Sequence, residues 1–501
     1  MTVAVLGSGP VGQTAALLLA RWGVPVVLVD EHERRDPLGS KAICQQRDTL
    51  DVWASLGAGC LAEEGLTWTT ARTFHRTAEL FSLKLPDGGS ALPPFVNLSQ
   101  ARVEEVLDEL IARQPLIDVR RGHRVTALTQ PGRVEIGCET PDGPRRIEAD
   151  YAIACTGARG DAVRRALGQH LAGVSFRDLF LICDIRADLP GWAAERRFHF
   201  DPPWNPGRQV LIHPCPGSQF RVDWQVPENY DLAAEESGGA MEARIRAIIG
   251  PAPYEVVWRS VYRFHTRLVS RMRVGRVLLA GDCAHLVAPF GARGLNSGVA
   301  DAENAAWKLA RVLRGHAGES LLESYHAERH AAAVENAEVT TATMDFLVPQ
   351  DEERRRHRED VLTRAAHDPA VHPQVDSGRL AEPFWYPDSP LTTPDPRRPF
   401  AGRPPRGTLP PPGPGILLPD VTVPSGRLRD LARQGFLLLT TPGALPTGLP
   451  ADLRTAEIPV GGALGARPGE VWLVRPDAYV AAVLPEPTAA EVRNALCRGL
   501  S

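Results

Sequence analysis

The chain has 501 residues, enough for two or three domains with separate cores. Hydrophobic residues make up 43% and charged residues 23%, as in ordinary globular proteins, and the formal net charge of -4 supplies no basic excess to neutralise a nucleic-acid backbone. Eight cysteines without a C-x-x-C pair argue against a disulfide framework or a zinc site and predict reduced thiols in a cytoplasmic protein.

Residues 3–6 read as a short buried strand, followed by Gly7-Ser8-Gly9-Pro10-Val11-Gly12. The Ala- and Leu-rich spacing over 13–22 predicts a helix ended by Gly23, and 24–29 is a second β-branched run closed by Asp30, with Glu31 beside it. This order, with an acid roughly 20 residues past the glycines, is that of a dinucleotide site. Gly7 permits the tight turn, Gly9 lets the backbone approach a pyrophosphate, Gly12 allows close helix–strand packing, and Asp30 accepts from a ribose hydroxyl.

Residues 41–56 are expected as a loop and then a helix, where Arg47 is either a phosphate partner or a solvated charge. The stretch 74–85 is strand-like, and an amphipathic helix capped by Ser99 runs to about 113, with Gln100 in its first turn. Strands are expected over 118–129, 133–139 and 145–150, then a buried strand over 151–155 ending in Thr156-Gly157-Ala158-Arg159-Gly160, and a helix through 163–167. Short alternating runs at 179–185, 195–200, 208–213, 220–226 and 255–264 predict a separate antiparallel sheet. The apolar run 276–280, the loop from Gly281-Asp282 to Leu295-Asn296 and a helix over 301–313 return to α/β character and form an anion-binding strand-to-helix turn. The cofactor domain is thus expected to be discontinuous, 1–170 plus 263–345, with a sheet domain of 171–262 and about 72–98 inserted. Residues 346–415 read as a helical and proline-rich linker that wraps or spaces. Residues 416–501 read as a small α/β unit with strands at 435–439, 471–474 and 479–483 and a terminal helix from 491. No run approaches the roughly 18 apolar residues of a membrane helix, and neither a basic leader, a G-x-S-x-G element nor a metal-ligand cluster is visible.

Gly7-x-Gly9-x-x-Gly12, the segment 151–164 and Gly281-Asp282-Cys283-Ala284-His285 with Pro289-Phe290-Gly291-Ala292-Arg293-Gly294-Leu295-Asn296 together resemble the single-component FAD-dependent aromatic hydroxylases. That family has the para-hydroxybenzoate hydroxylase-like fold, and the likeness is to its subgroup of 3-(3-hydroxyphenyl)propionate hydroxylase and polyketide-tailoring monooxygenases. The likeness covers residues 1 to about 345. It implies an α/β fold with a Rossmann-like, glutathione-reductase-type FAD domain, an inserted antiparallel-sheet substrate domain and a thioredoxin-like C-terminal domain, here without C-x-x-C. It implies FAD held by Gly7, Gly9, Pro10, Gly12, Asp30, Glu31, Arg47, Gln100, Arg159, Asp282, Pro289, Gly294, Leu295 and Asn296. Pro289 would face the reactive side of the flavin, and Arg293 with the Gly294–Asn296 amides would meet the charge of the reduced ring. Where the family carries Asp-Gly and Arg-Ser, this chain has Thr156-Gly157 and Arg159-Gly160.

The implied reaction uses NADPH or NADH and O2 to hydroxylate a phenolic or polyketide-like aromatic through a flavin C4a-hydroperoxide. His213 and Tyr262 are candidate catalytic residues. With Trp224 and Gln225 they are candidate substrate contacts on the inserted sheet, the bland alternative for each being core or sheet surface. His285 reads as structural. Baeyer–Villiger insertion, a flavin reductase or dehydrogenase, and a non-catalytic flavin-binding protein are the competing readings. Expected partners are a small aromatic molecule, without nucleic acid or membrane span, in a monomer or homodimer.

Overall fold

The computed structural model describes residues 1–35, 42–84, 90–405, 408–450 and 453–501. Lys41 and Leu85, ends of two expected segments, lie outside them. Val3–Leu6 sits inside a six-stranded sheet, parallel to Tyr151–Ala154 on one side and Val26–Val29 on the other. Val277–Leu279 and Ile117–Arg120 extend it in parallel, and Arg273–Val274 closes one edge antiparallel. The inner strands are buried along their whole length, so they carry unbroken apolar runs rather than alternation. Helices Pro10–Arg21 and Arg293–Leu313 pack against each other in the same core. Gly298 allows that approach, since a Cβ there would lie 2.6 Å from Val11 Cγ2, while a Cβ on Gly12 would lie 1.9 Å from the Gly7 carbonyl oxygen, so Gly12 lets the first helix sit close to the turn before it.

The inserted sheet has eight strands. Their order is His285–Leu286, Tyr254–Leu268, Ala172–Ala187, Gln219–Val226, Gln209–Cys215, Glu195–Phe200, Thr70–His75 and Ala78–Lys84. One face packs Leu181, Ile185, Val210, Ile212, Val222 and Trp224 against Met241, Ile245 and Ile249 of helix Ala240–Ile249. That helix, and Leu232–Ser237 before it, fill the interval between the strand-like runs expected at 220–226 and 255–264. The expected strand over 74–85 crosses a hairpin turn at Arg76, φ 55°, between Thr70–His75 and Ala78–Lys84. The expected strand over 118–129 divides at Gly122, φ 66°. Ile117–Arg120 stays in the parallel sheet, while Arg124–Thr129 joins Val134–Thr140 and Gly143–Ala149 in a three-stranded one.

The last unit carries a four-stranded sheet, Arg454–Glu457, Leu437–Thr440, Glu470–Val474 and Val480–Pro485, with a parallel first pair. Its terminal helix Ala489–Arg498 opens on a reciprocal Thr488–Glu491 capping box. Buried charge ties this unit to the rest. Asp51 meets Arg433 at 2.6 Å and Arg427 at 2.5 Å, and Glu328 meets Lys308 at 2.7 Å and Arg475 at 2.5 Å. Burial lowers the Lys308 ammonium to about 8, against the pull of Glu328. No helix among the described residues is long and apolar enough to cross a membrane.

Candidate active site

A cavity of about 1690 Å³ runs between the two large sheets. Its first end is the turn after Val3–Leu6. Gly7 adopts φ 106°, which a side chain would oppose, and a Cβ there would lie 2.3 Å from the Cys155 carbonyl oxygen. Gly9 caps the Pro10–Arg21 helix and has nothing within 4 Å of its would-be Cβ, so its backbone is open to the cavity. Asp30 accepts from Ser8 N at 2.7 Å and His32 N at 2.9 Å, which fixes its carboxylate beside that opening. This bare helix N-terminus with an adjoining fixed carboxylate fits the pyrophosphate and ribose of a dinucleotide. Glu31 lines the same end, 3.7 Å from Arg159. Gln100 also lines it and accepts from Ala42 N at 3.2 Å. Arg35, which no local pattern marks, lines it too and donates to the Ser8 carbonyl at 2.9 Å and to Asp108 at 2.8 Å.

The middle of the cavity is the Gly281 loop. Asp282, on the turn Gly281–Cys283, lines it with Pro289, Arg293, Gly294 and Leu295. The helix expected over 301–313 begins at Arg293, two turns earlier. Gly294, Asn296, Ser297 and Gly298 are poor helix formers, and tertiary contacts override their propensity. Asn296 is one of those contacts. It accepts from Gln46 N at 2.9 Å and donates to the Cys44 and Ala292 carbonyls at 3.0 and 2.6 Å. Ala292 takes φ 57°, unusual for a residue with a Cβ, to turn the chain into the helix. Behind the loop, Asp301 accepts from Gly281 N at 2.9 Å and bonds His285 Nε2 and Arg329 Nε at 2.7 Å each. Burial alone would raise the Asp301 carboxyl, but His285, Arg329 and the Gly281 amide hold it at about 2. His285 thus faces away from the cavity as a brace. Burial lowers the Arg293 guanidinium to about 10, against the pull of Glu335, and leaves it cationic at neutral pH.

The far end is the second face of the eight-stranded sheet. Register places side chains in rows across it. His213 pairs with Arg221, Arg221 with Asp184 and Asp184 with Trp258. In the next row Leu211 pairs with Asp223, Asp223 with Ile182 and Ile182 with Ser260. Tyr262 pairs with Phe180 one row on. Arg221 donates twice to Asp184, at 2.7 and 2.8 Å. The opposite wall comes from residues 369–382, inside the stretch read from sequence as a linker. Ala381 N donates to the Gly291 carbonyl at 2.8 Å, and a Cβ on Gly291 would lie 2.0 Å from the Arg379 carbonyl oxygen.

Five of the expected site residues do not line this cavity. Trp224 points to the apolar face, because its neighbours Asp223 and Gln225 take the other one. Gln225 lies on the cavity side but is engaged with Asp178 at 2.7 Å and Gln209 N at 3.3 Å. Arg47 turns to the Leu92 carbonyl at 3.0 Å. Gly12 serves helix packing and Asn296 braces the loop. Gly7, Gly9, Pro10, Asp30, Glu31, Gln100, Arg159, Asp282, Pro289, Arg293, Gly294, Leu295, His213 and Tyr262 all line it. Thr156 lines it as well, with its hydroxyl 3.1 Å from Cys283 Sγ. A Cβ on Gly160 would lie 2.0 Å from that hydroxyl oxygen, so a side chain at 160 does not fit beside Thr156 in this arrangement.

The parallel sheet with a glycine-rich first turn, the inserted sheet, antiparallel except where Glu195–Phe200 runs parallel to Thr70–His75, and the cavity between them define a mixed α/β FAD-binding monooxygenase fold. The flavin-dependent monooxygenase PieE, solved with FAD and substrate, superposes with a TM-score of 0.84 at 24% identity, covering 100% of this chain and 98% of that one. An aklavinone-11 hydroxylase in ternary complex with FAD and aklavinone gives 0.79 at 22% identity, covering 100% and 98%. The FAD binding domain family matches residues 1–340, and the chain belongs to that family. A 3-(3-hydroxy-phenyl)propionate/3-hydroxycinnamic acid hydroxylase of Mycolicibacterium smegmatis is 27% identical over 375 residues, 74% of this chain and 65% of its own. A probable NADH-specific resorcinol 4-hydroxylase of Rhodococcus jostii is 29% identical over 339 residues, 65% of this chain and 62% of its own. The matched part thus spans just under two thirds of the length of these relatives.

Proposed function

We propose that this chain is an FAD-dependent monooxygenase that uses NAD(P)H and O2 to hydroxylate a phenolic, polyketide-like aromatic. The observation that carries this is the continuity of the cavity from Gly9 and Asp30 past Pro289 to His213 and Tyr262. At about 1690 Å³ it exceeds the roughly 300–1,000 Å³ of a site for one small molecule, so two ligands fit in line. The hydroxylase names of the relatives agree with that reading.

Gly7, Gly9, Pro10, Asp30, Glu31, Gln100 and Arg159 would hold the adenosine and pyrophosphate, and Asp282 the sugar-alcohol chain. Pro289, Gly294 and Leu295 would border the ring. Bound there, FAD supplies hydride acceptance from the nicotinamide and the activation of O2. The chain's own work is to orient and exclude water. The Arg293–Leu313 helix N-terminus and the Arg293 guanidinium favour negative charge on the ring edge nearest them. The 369–382 wall and the sheet floor enclose the substrate and keep water from the reacting atoms. Residues 416–501 would form a thioredoxin-like domain without C-x-x-C, docked by the Asp51 and Glu328 ion pairs as a structural buttress.

Purified protein should carry a yellow chromophore released as FAD. Phenols should stimulate its NADH or NADPH oxidation, with isotopically labelled O2 entering the product. Oxidation indifferent to O2 would replace this reading with that of a reductase, and colourless protein that takes up no FAD would end it.

A further inference from the structure

We propose that Tyr386 is a positioning residue for the flavin, acting through Arg329, so that the last unit sets the charge presented to the ring. This rests on the flavin reading of the cavity and gives residues 416–501 a role beyond that of a buttress. Tyr386 does not line the cavity. It lies in the proline-rich stretch, and its ring belongs to the core of the last unit with Leu417, Leu418, Leu437 and Val480. The backbone fixes it there. Tyr386 N donates to the Gly415 carbonyl at 2.7 Å, and Gly415, φ 81°, passes so close that a Cβ on it would lie 2.5 Å from the Tyr386 carbonyl oxygen. The ring packs on Tyr479 with centroids 4.4 Å apart. Its hydroxyl reaches out of this core and accepts from Arg329 Nη1 at 2.8 Å.

Arg329 sits on helix Leu321–Leu347 and turns its rigid fork of donors to two further residues. Nε donates to Asp301 Oδ1 at 2.7 Å, and Nη2 donates to the Ser297 carbonyl at 3.2 Å and Ser297 Oγ at 3.1 Å. Ser297 and Asp301 are one turn apart on helix Arg293–Leu313, so one guanidinium spans both. Two branches run on from there to the cavity. In the first, Asp301 Oδ2 accepts from Gly281 N at 2.9 Å and holds the turn that carries Asp282. In the second, Ser297 Oγ also accepts from Asn336 Nδ2 at 3.2 Å, and Asn336 Oδ1 accepts from Arg293 Nη1 at 2.7 Å. Asn336 lies about two turns beyond Arg329 on one helix, so the two share a face. Arg293 has a longer bond as well, from Nη2 to the Arg379 carbonyl at 3.4 Å. Asn336 is therefore the short anchor of the cation that lines the cavity beside Gly294 and Leu295.

Burial pushes the Tyr386 phenol up to about 12, against the pull of Arg329, so its oxygen is a neutral acceptor at neutral pH. Removing that oxygen changes no charge. It leaves a buried guanidinium N–H without its acceptor, and a planar fork recovers one only by turning, which draws its other donors off Asp301 and Ser297. The Gly281 turn then loses its fixed partner on one branch, and Asn336 and Arg293 lose theirs on the other. A cation held beside the ring favours the reduced, anionic flavin, and a cation that wanders favours it less. A change in flavin potential on loss of this hydroxyl thus reports position, not a deleted charge.

The test compares three variants of the full chain, Tyr386→Phe, Ser297→Ala and Tyr479→Phe. The readouts are the two-electron reduction potential of the FAD-loaded protein by dye equilibration, and amide exchange of the Gly281 turn in FAD-free protein. Tyr479→Phe is the control for a merely structural role. It removes a hydroxyl of the same core, one that donates to the Phe384 carbonyl at 2.8 Å and has no bond to Arg329. Tyr386→Phe should weaken the preference for reduced over oxidised flavin at least about tenfold, a fall of about 30 mV for a two-electron couple. Its Gly281 amide should exchange faster. Ser297→Ala, which breaks only the Arg293 branch, should lower the potential and leave the Gly281 amide protected. Tyr479→Phe should lower the unfolding temperature without moving the potential. A Tyr386→Phe preference within about twofold of the unaltered chain overturns the inference. So does an equal shift in Tyr479→Phe, which would make the effect one of general loosening. Should Tyr386→Phe fail to fold, Ser297→Ala decides, and an unmoved potential there overturns the inference as well. Those outcomes leave a yellow protein and the flavin reading intact, whereas an unaltered chain that takes up no FAD ends that reading and this inference together.

Discussion

At one end of the cavity, Gly7, Gly9, Pro10 and Asp30 come from one unbroken strand–helix–strand stretch. At the other, Ile182, Leu211, His213, Asp223 and Tyr262 come from four strands and meet only through register. The first end is a local device, and its geometry follows from where Cβ atoms are missing. The second has no local device. Shifting Gln219–Val226 by one residue would turn Trp224 into the cavity and bury Asp223 in the apolar layer against helix Ala240–Ile249. The two ends therefore fail in different ways.

The largest effect is expected behind the floor. Trp224→Ala should cost about 3–5 kcal/mol, because a fully buried ring is lost from the layer that fixes the register. Thermal unfolding should show this; a loss under 1 kcal/mol would mean that the apolar face does not set the floor. At the other end, Gly9→Val should leave the fold standing, since nothing lies within 4 Å of that Cβ, yet it should fill the pyrophosphate approach. FAD retention through gel filtration should fall at least about tenfold. Gly12→Ala should do the reverse and cost about 1–3 kcal/mol of stability, because its Cβ meets the Gly7 carbonyl oxygen. Equal flavin loss in both variants would erase the distinction between an approach glycine and a packing glycine. The smallest of these effects concerns the loop between the ends. The Asp301 carboxyl lies at about 2 when folded, below its ordinary 3.8, so the stability it contributes is present above pH 4 and is lost as pH falls toward 2. The amount is about 2 kcal/mol by linkage. Asp301→Asn should flatten that limb of an acid-unfolding curve and loosen FAD, while an unchanged limb would place the acid sensitivity elsewhere.

Parts of this site were legible wherever the chemistry is contiguous. The Gly7–Gly12 turn, Asp30 and the Gly281 loop each sit between runs whose burial shows as unbroken apolar sequence. The Arg293 helix start was hidden by Gly294, Asn296, Ser297 and Gly298, which disfavour helix until Gln46, Cys44 and Val11 pack against them. The wall from residues 369–382 was hidden because a proline-rich stretch has no period to betray what it covers. Asp223 and Arg35 carry no pattern at all.

The sequence by itself determined the dinucleotide turn, the alternation of an inserted sheet and the family, because those rest on neighbours a few residues apart. Only the tertiary structure decided which face of each inserted strand meets the cavity, and that His285 and Asn296 brace while Asp223 and His213 line it. The physical reason is the two-residue period of a strand. It assigns side chains to two faces, but only pairing across strands and the apolar layer behind Trp224 say which face is which.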